Sequence, residues 1–152
     1  MDWYLPLKLV HVLAAMLAVG TNVTYFVWLG VIRGRPHREQ AFALDTIRKL
    51  DARLANPGYA ILPITGVIMV LIAEGLGFTT FWIAVAIGLY ILVGVLAGAL
   101  FAPSLRRQVA LAEAEEDPAA YEAAARRTRT TGFLTMLPVA AILYLMILKP
   151  TP

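Results

Sequence analysis

Few side chains in this sequence can do chemistry, and His11 is the first of them. It stands inside the apolar run Leu5–Ile32. An imidazole there can hold a haem iron or another metal, move a proton, contact a substrate, or simply hydrogen-bond a neighbouring helix. An ionisable group inside a membrane is a functional hypothesis by default. At about 100° per residue, His11, Ala15, Ala18, Asn22, Tyr25 and Leu29 fall within about 40° of one line along a helix, a face suited to a bundle interior. The only other histidine, His37, lies in a charged link beyond the far end of the run, a bilayer's thickness away. Bis-histidine haem ligation within one chain is thereby excluded. A haem b on His11 would need an open site, a methionine such as Met69, or a second subunit.

Three further groups stand out. Asn22, Thr21 and Tyr25 form a polar interior patch, of the kind that bonds helices together or contacts a ligand. Asp51, Arg53 and Asn56 put an acid, a base and an amide where a second apolar segment begins, below the Asn22 end of the first. That cluster reads as a salt bridge anchoring the helix, as an anion site, or as a gate. Gly94 and Gly98 make a Gly-x-x-x-Gly pair for helix packing, within the bundle or between subunits. The acidic run Glu113, Glu115, Glu116 and Asp117 lacks calcium-loop spacing and reads as a solvated helical face. There is no serine nucleophile elbow, no pair of intramembrane carboxylates, no zinc-binding histidine pair and no phosphate loop. With no cysteine, thiolate metal sites and cysteine nucleophiles are excluded as well.

The elements that position these residues follow from composition. Of 152 residues, 60% are hydrophobic and only 15% charged, and the mean hydropathy is +0.73. Soluble domains sit near 45–50% apolar and about 25% charged, so the chain belongs to the membrane class. Four segments are long enough to span, at about residues 5–32, 54–72, 79–102 and 133–148. The expected fold is all-α, a single integral membrane domain over residues 1–152 built as a four-helix transmembrane bundle. The first segment is too long for a secretory signal, and Asp2 stands where a basic residue is expected, so it reads as retained. Pro63 and Pro138 bend their segments, and neighbouring helices or threonine hydroxyls must take up the freed carbonyls. The short link 74–78 predicts antiparallel neighbours on its two sides.

Charge orients the bundle. Eleven Lys and Arg residues lie in the links 33–53 and 103–130, against Lys8 and Lys149 on the other side. By the positive-inside bias both links are cytoplasmic and both termini face outward, an N-out/C-out multi-pass protein of the inner (plasma) membrane. Both links should be helical. In the first, Ala43, Ile47 and Leu50 form one stripe, as in an interfacial helix lying under the bundle. In the second, helix three continues to about Glu116, and Asp117-Pro118 caps a new piece, 119–129.

The pattern Lys8-Leu9-Val10-His11-Val12-Leu13-Ala14-Ala15 with Gly20, the Arg-rich link, Pro63-Ile64-Thr65-Gly66 and the basic link after helix three resemble a group of small bacterial four-helix integral membrane proteins. That group is a domain of unknown function, described as predicted integral membrane proteins. In outline it is similar to the haem-dependent protoporphyrinogen oxidase and to copper-resistance membrane proteins. The resemblance to the oxidase implies haem at His11. Its charged or histidine positions in helix three have no counterpart in Phe81–Gly88, and helix one lacks the His and Met clusters of a copper importer.

Three functions remain open. One is a non-catalytic interaction or assembly role, with the basic face meeting anionic lipid or a partner membrane protein rather than nucleic acid. Another is haem-binding redox chemistry at His11. The third is a homo-oligomeric small-solute transporter or channel built on the Gly94/Gly98 face.

Overall fold

A computed structural model describes residues 3–114 and 117–151. Glu115 and Glu116 of the acidic run lie outside the described residues. Among the described residues six α-helices follow one another: α1 Tyr4–Val31, α2 His37–Leu50, α3 Asn56–Ile72, α4 Phe81–Leu96, α5 Ala102–Ala114 and α6 Pro118–Leu148. No strand occurs among the described residues.

Two π-helical turns, Asp51–Ala55 and Ala97–Phe101, join α2 to α3 and α4 to α5 without a break. Each ends two residues before a proline, Pro57 and Pro103. A proline has no N–H for the carbonyl four residues back, and its ring crowds that carbonyl. Here those carbonyls belong to Arg53 and Ala99, both inside the π turns. Widening the turn moves each carbonyl off the ring and lets the helix continue.

The result is four long rods, Tyr4–Val31, Arg38–Ile72, Phe81–Ala114 and Pro118–Leu148, of 28, 35, 34 and 31 residues. At about 1.5 Å per residue each is roughly 40–50 Å long, beyond a hydrocarbon core of about 30 Å. All four are apolar enough to cross a membrane. Leu5, Leu9, Ile64, Leu71, Ile91 and Phe133 stay largely exposed, which suits lipid contact and not water.

The first link therefore differs from the expected separate helix under the bundle. It is the end of the second rod, because Asn56-Pro57 widens the helix and does not stop it. Its stripe faces protein: Ala43, Leu44 and Ile47 are buried in a cluster with Tyr25, Leu29, Ile32, Leu105, Ala112, Tyr121 and Ala125, and Leu50 packs against it. Asp45 lies on the exposed side, paired with Arg48 at 2.8 Å and Lys49 at 2.6 Å.

The fourth rod opens as the sequence indicates. The Asp117 carboxylate accepts from the Ala119 and Ala120 N–H groups at 2.9 and 3.1 Å, with Pro118 at the first helical position. It then runs unbroken into the last apolar segment, so the expected piece 119–129 and span 133–148 are one helix. At its far end Lys149 adopts left-handed φ of 46° and lays its ammonium 5.5 Å from the Trp82 ring.

The rods pack as two pairs, α1 with α3 and α4 with α6. The pairs meet chiefly at the basic end, where α2 of the first pair lies on α5 of the second. The short link through Gly75, at φ 78°, turns the chain back between α3 and α4. Yet no Cα of α3 comes within 8 Å of one in α4, so these expected neighbours stand apart. A tight link fixes the distance between two helix ends, while packing along their length depends on complementary faces.

Candidate functional site

His11 belongs to the tight pair. Its Nδ1 lies 2.7 Å from Thr65 Oγ1, and that hydroxyl is also 2.8 Å from the Ile61 carbonyl. The hydroxyl has one proton. If it goes to Ile61, His11 donates from Nδ1 and the tautomer is set. A Cβ built at Gly66 would lie 3.4 Å from His11 Cε1, so the ring rests on the α3 backbone. Two turns along, a Cβ at Gly58 would stand 3.0 Å from the Ala14 carbonyl oxygen and 3.0 Å from Ala18 Cβ. Helices this close leave no slot for a porphyrin between them. The residues around His11 do not fit a haem in this seam; they fit an interhelical bolt. Among the described residues no three His, Cys, Asp or Glu side chains gather as a metal site.

The gap between the two pairs is different. Toward the basic end it holds a cavity of about 410 Å³, walled by all four rods and by both π turns. Asn22 and Tyr25 of α1 open onto it, with Asp51 from the first π turn and Asn56 and Tyr59 from α3. From the other pair come Tyr90, Val93 and Gly94 of α4, Gly98 and Phe101 of the second π turn, Arg106 of α5, and Met136 of α6.

Its polar groups are wired to each other. Tyr25 Oη donates to Asp51 Oδ1 at 3.3 Å, and Asn56 Nδ2 donates to Asp51 Oδ2 at 3.2 Å. Asn22 Nδ2 donates to Tyr59 Oη at 2.6 Å. Pro63 has no N–H for the Tyr59 carbonyl, and Tyr90 Oη donates to that carbonyl from across the gap. This is the expected rescue of a proline-freed carbonyl by a neighbouring helix. One acceptor is left over: Asn22 Oδ1 is buried and has no hydrogen-bond partner among the described residues. A buried orphan of this kind costs about 1–3 kcal/mol unless something else binds it.

Asn22, Tyr25, Asp51, Asn56, Gly94 and Gly98, drawn from three separate groups in the sequence, thus line one cavity. Thr21 does not join them. It is buried with its hydroxyl turned to its own helix, donating to the Leu17 carbonyl at 2.6 Å. Arg53 is exposed and off the cavity wall, so the expected acid–base–amide cluster keeps its acid and amide but not its base. The cation of the cavity is Arg106 instead. Gly94 and Gly98 make no close helix contact within the chain, since a Cβ on either would meet nothing within 4 Å.

The sequence model of a family described as predicted integral membrane protein (DUF2269) matches residues 5–150. The chain belongs to that family. The match embraces both helix pairs, both π turns and the whole cavity wall, so this DUF2269 architecture is read over nearly the entire chain. No curated protein matches the chain, and no solved structure does. Tyr59, Tyr90 and Arg106 are among the wall residues that sequence reasoning passed over. The one available signal was Pro63, whose freed carbonyl calls for a donor.

Proposed function

We propose that this integral membrane protein is a non-catalytic binding protein whose site is the cavity between its two helix pairs. The carrying observation is the combination of about 410 Å³ of space with a polar wall that contains a buried, unpartnered Asn22 Oδ1. Ligand sites are concave, mostly apolar, and carry a few convergent polar groups, as this one does. Asp51 supports the reading: its carboxylate accepts two hydrogen bonds but has no cation within 4.0 Å among the described residues. The wall offers no nucleophile–base pair, so binding is favoured over catalysis.

In this reading the whole chain is one membrane domain in the plasma membrane, with the basic end in the cytoplasm and both termini outside, as the loop charges favour. The bound state would then be presented to a partner membrane protein or to anionic lipid at the basic face, which suits an interaction or assembly role.

The test fills the cavity. Gly98→Leu places a side chain in open space, so the fold is expected to persist. Native mass spectrometry of the purified protein should show a small-molecule adduct on the wild type that is absent from Gly98→Leu. The same adducts on both proteins would sink the proposal.

A further inference from the structure

Two opposite charges on the cavity wall, neither of them neutralised, say what the ligand carries. Asp51 and Arg106 both line the cavity, yet they form no ion pair within 4.0 Å. Asp51 is half-buried and bonded only to neutral donors, Tyr25 and Asn56. Arg106 is exposed and comes from the other helix pair. A ligand of one sign would satisfy one of them and face the other unpaired. A molecule bearing both signs satisfies both.

The wall is also graded along the bundle. Its charged groups lie at the basic end, where the apolar segments stop. Asn22 lies ten residues before Ile32, about 15 Å deeper toward the hydrocarbon. At that depth the lining is the Asn22 amide with the Tyr59 and Tyr90 hydroxyls, and between them and the charged groups the wall is largely apolar, with Phe26, Leu29, Val93 and Phe101. Charge at head-group level with an apolar wall beneath it fits an amphiphile, and the amide and hydroxyls close the deep end. A way in exists as well. No Cα of α3 lies within 8 Å of α4, and the Tyr90–Tyr59 bond crosses the space between them. A bulky amphiphile can therefore enter sideways from the bilayer.

We propose that the cavity binds a zwitterionic amphiphile, its ammonium on Asp51, its phosphate or carboxylate on Arg106, and its apolar part along Phe26, Val93 and Phe101. This rests on the binding reading above and adds the ligand class. Strength comes from pairing both charges at the edge of a low-dielectric region, where an unpaired charge is expensive.

The probes are phosphatidylethanolamine, phosphatidylglycerol and the soluble head group glycerophosphoethanolamine. Each is titrated into the full chain in lipid-free detergent and followed by native mass spectrometry. Wild type should bind one phosphatidylethanolamine about tenfold more tightly than phosphatidylglycerol. Asp51→Asn keeps an acceptor for Tyr25 and should bring phosphatidylethanolamine down to the phosphatidylglycerol level. Arg106→Gln should weaken both lipids together. Competition by glycerophosphoethanolamine would support the same chemistry with a free zwitterion as its source, and failure to compete would support the lipid. Equal binding of the two lipids by wild type, or an unchanged preference in Asp51→Asn, overturns the proposal. Gly98→Leu separates the two readings. If it abolishes binding of lipids that the wild type does not discriminate, the cavity binds but the zwitterion assignment fails. If no probe's binding responds to Gly98→Leu, both fail.

Discussion

The seam between α1 and α3 and the gap between α3 and α4 are built from the same materials and behave oppositely. Both place glycines on apolar helices, and both are crossed by a side-chain hydrogen bond to α3, His11 to Thr65 on one side and Tyr90 to the Tyr59 carbonyl on the other. In the seam, a Cβ on Gly58 would meet Ala14 and Ala18 at 3.0 Å. In the gap, a Cβ on Gly94 or Gly98 would meet nothing within 4 Å. Without a hydrophobic drive between helices in lipid, close packing of small residues is the main attraction available. The seam uses it. The gap forgoes it and keeps a cavity.

The largest effect should come from pressing on that contrast at Gly58. Gly58→Leu forces a side chain against backbone, and overpacking of this kind costs about 1–3 kcal/mol, here toward the upper end. Thermal unfolding in detergent should show a clear loss for Gly58→Leu and little for Gly98→Leu. Equal losses would mean that the two faces are not different after all.

Next in size is Tyr90→Phe. It strips the donor from a carbonyl that Pro63 has already deprived of its helical partner, and a buried orphan acceptor costs about 1–3 kcal/mol. In an otherwise identical background carrying Pro63→Ala, the helix can supply its own N–H, so Tyr90→Phe should cost markedly less. A double-mutant cycle over these two positions measures the coupling, and additive losses would break the account. His11→Leu should be smaller. Interhelical hydrogen bonds in membranes average about 0.6 kcal/mol and reach about 1.7. The wild type should also purify without a Soret band when haem is supplied. A Soret peak that disappears in His11→Ala would restore haem ligation, through the Nε2 that the Thr65 bond leaves free.

How legible the site was depends on which physical cue each residue carried. The polar line of α1 could be read because a helix brings His11, Ala18, Asn22 and Tyr25 to one face whatever packs against it. Asp51 and Asn56 could be read because a carboxylate and an amide at the foot of an apolar segment need partners. Arg53 was misplaced by assuming that sequence neighbours are spatial neighbours; the π turn spanning Asp51–Ala55 leaves its side chain exposed. Tyr59 and Tyr90 carry no cue of their own, since tyrosines are ordinary at membrane interfaces. Arg106 looked like one loop charge among eleven. The π turns were hidden because Asn56-Pro57 and Pro103 resemble helix boundaries, and only the continuing rod shows that each helix widened instead of ending. The splay of α3 from α4 was hidden behind a tight link that sets only how close two helix ends lie.

Gly94 and Gly98 give the smallest effect and the sharpest division between uses of the same motif. If the pair were a dimer contact, a leucine at Gly98 would drive two copies apart, and the change would appear as a loss of mass in detergent with lipid binding unaffected. If the pair instead keeps the cavity wall thin, the leucine fills the cavity and the mass stays as it was. Stability then moves by less than about 0.5 kcal/mol, since no neighbour is displaced. Gly94→Leu, on the same wall one helical turn deeper, should behave in the same way. Multi-angle light scattering of wild type, Gly94→Leu and Gly98→Leu is therefore expected to return one common mass. A shift confined to the leucine variants would reassign these glycines from the cavity to an interface between copies of the chain.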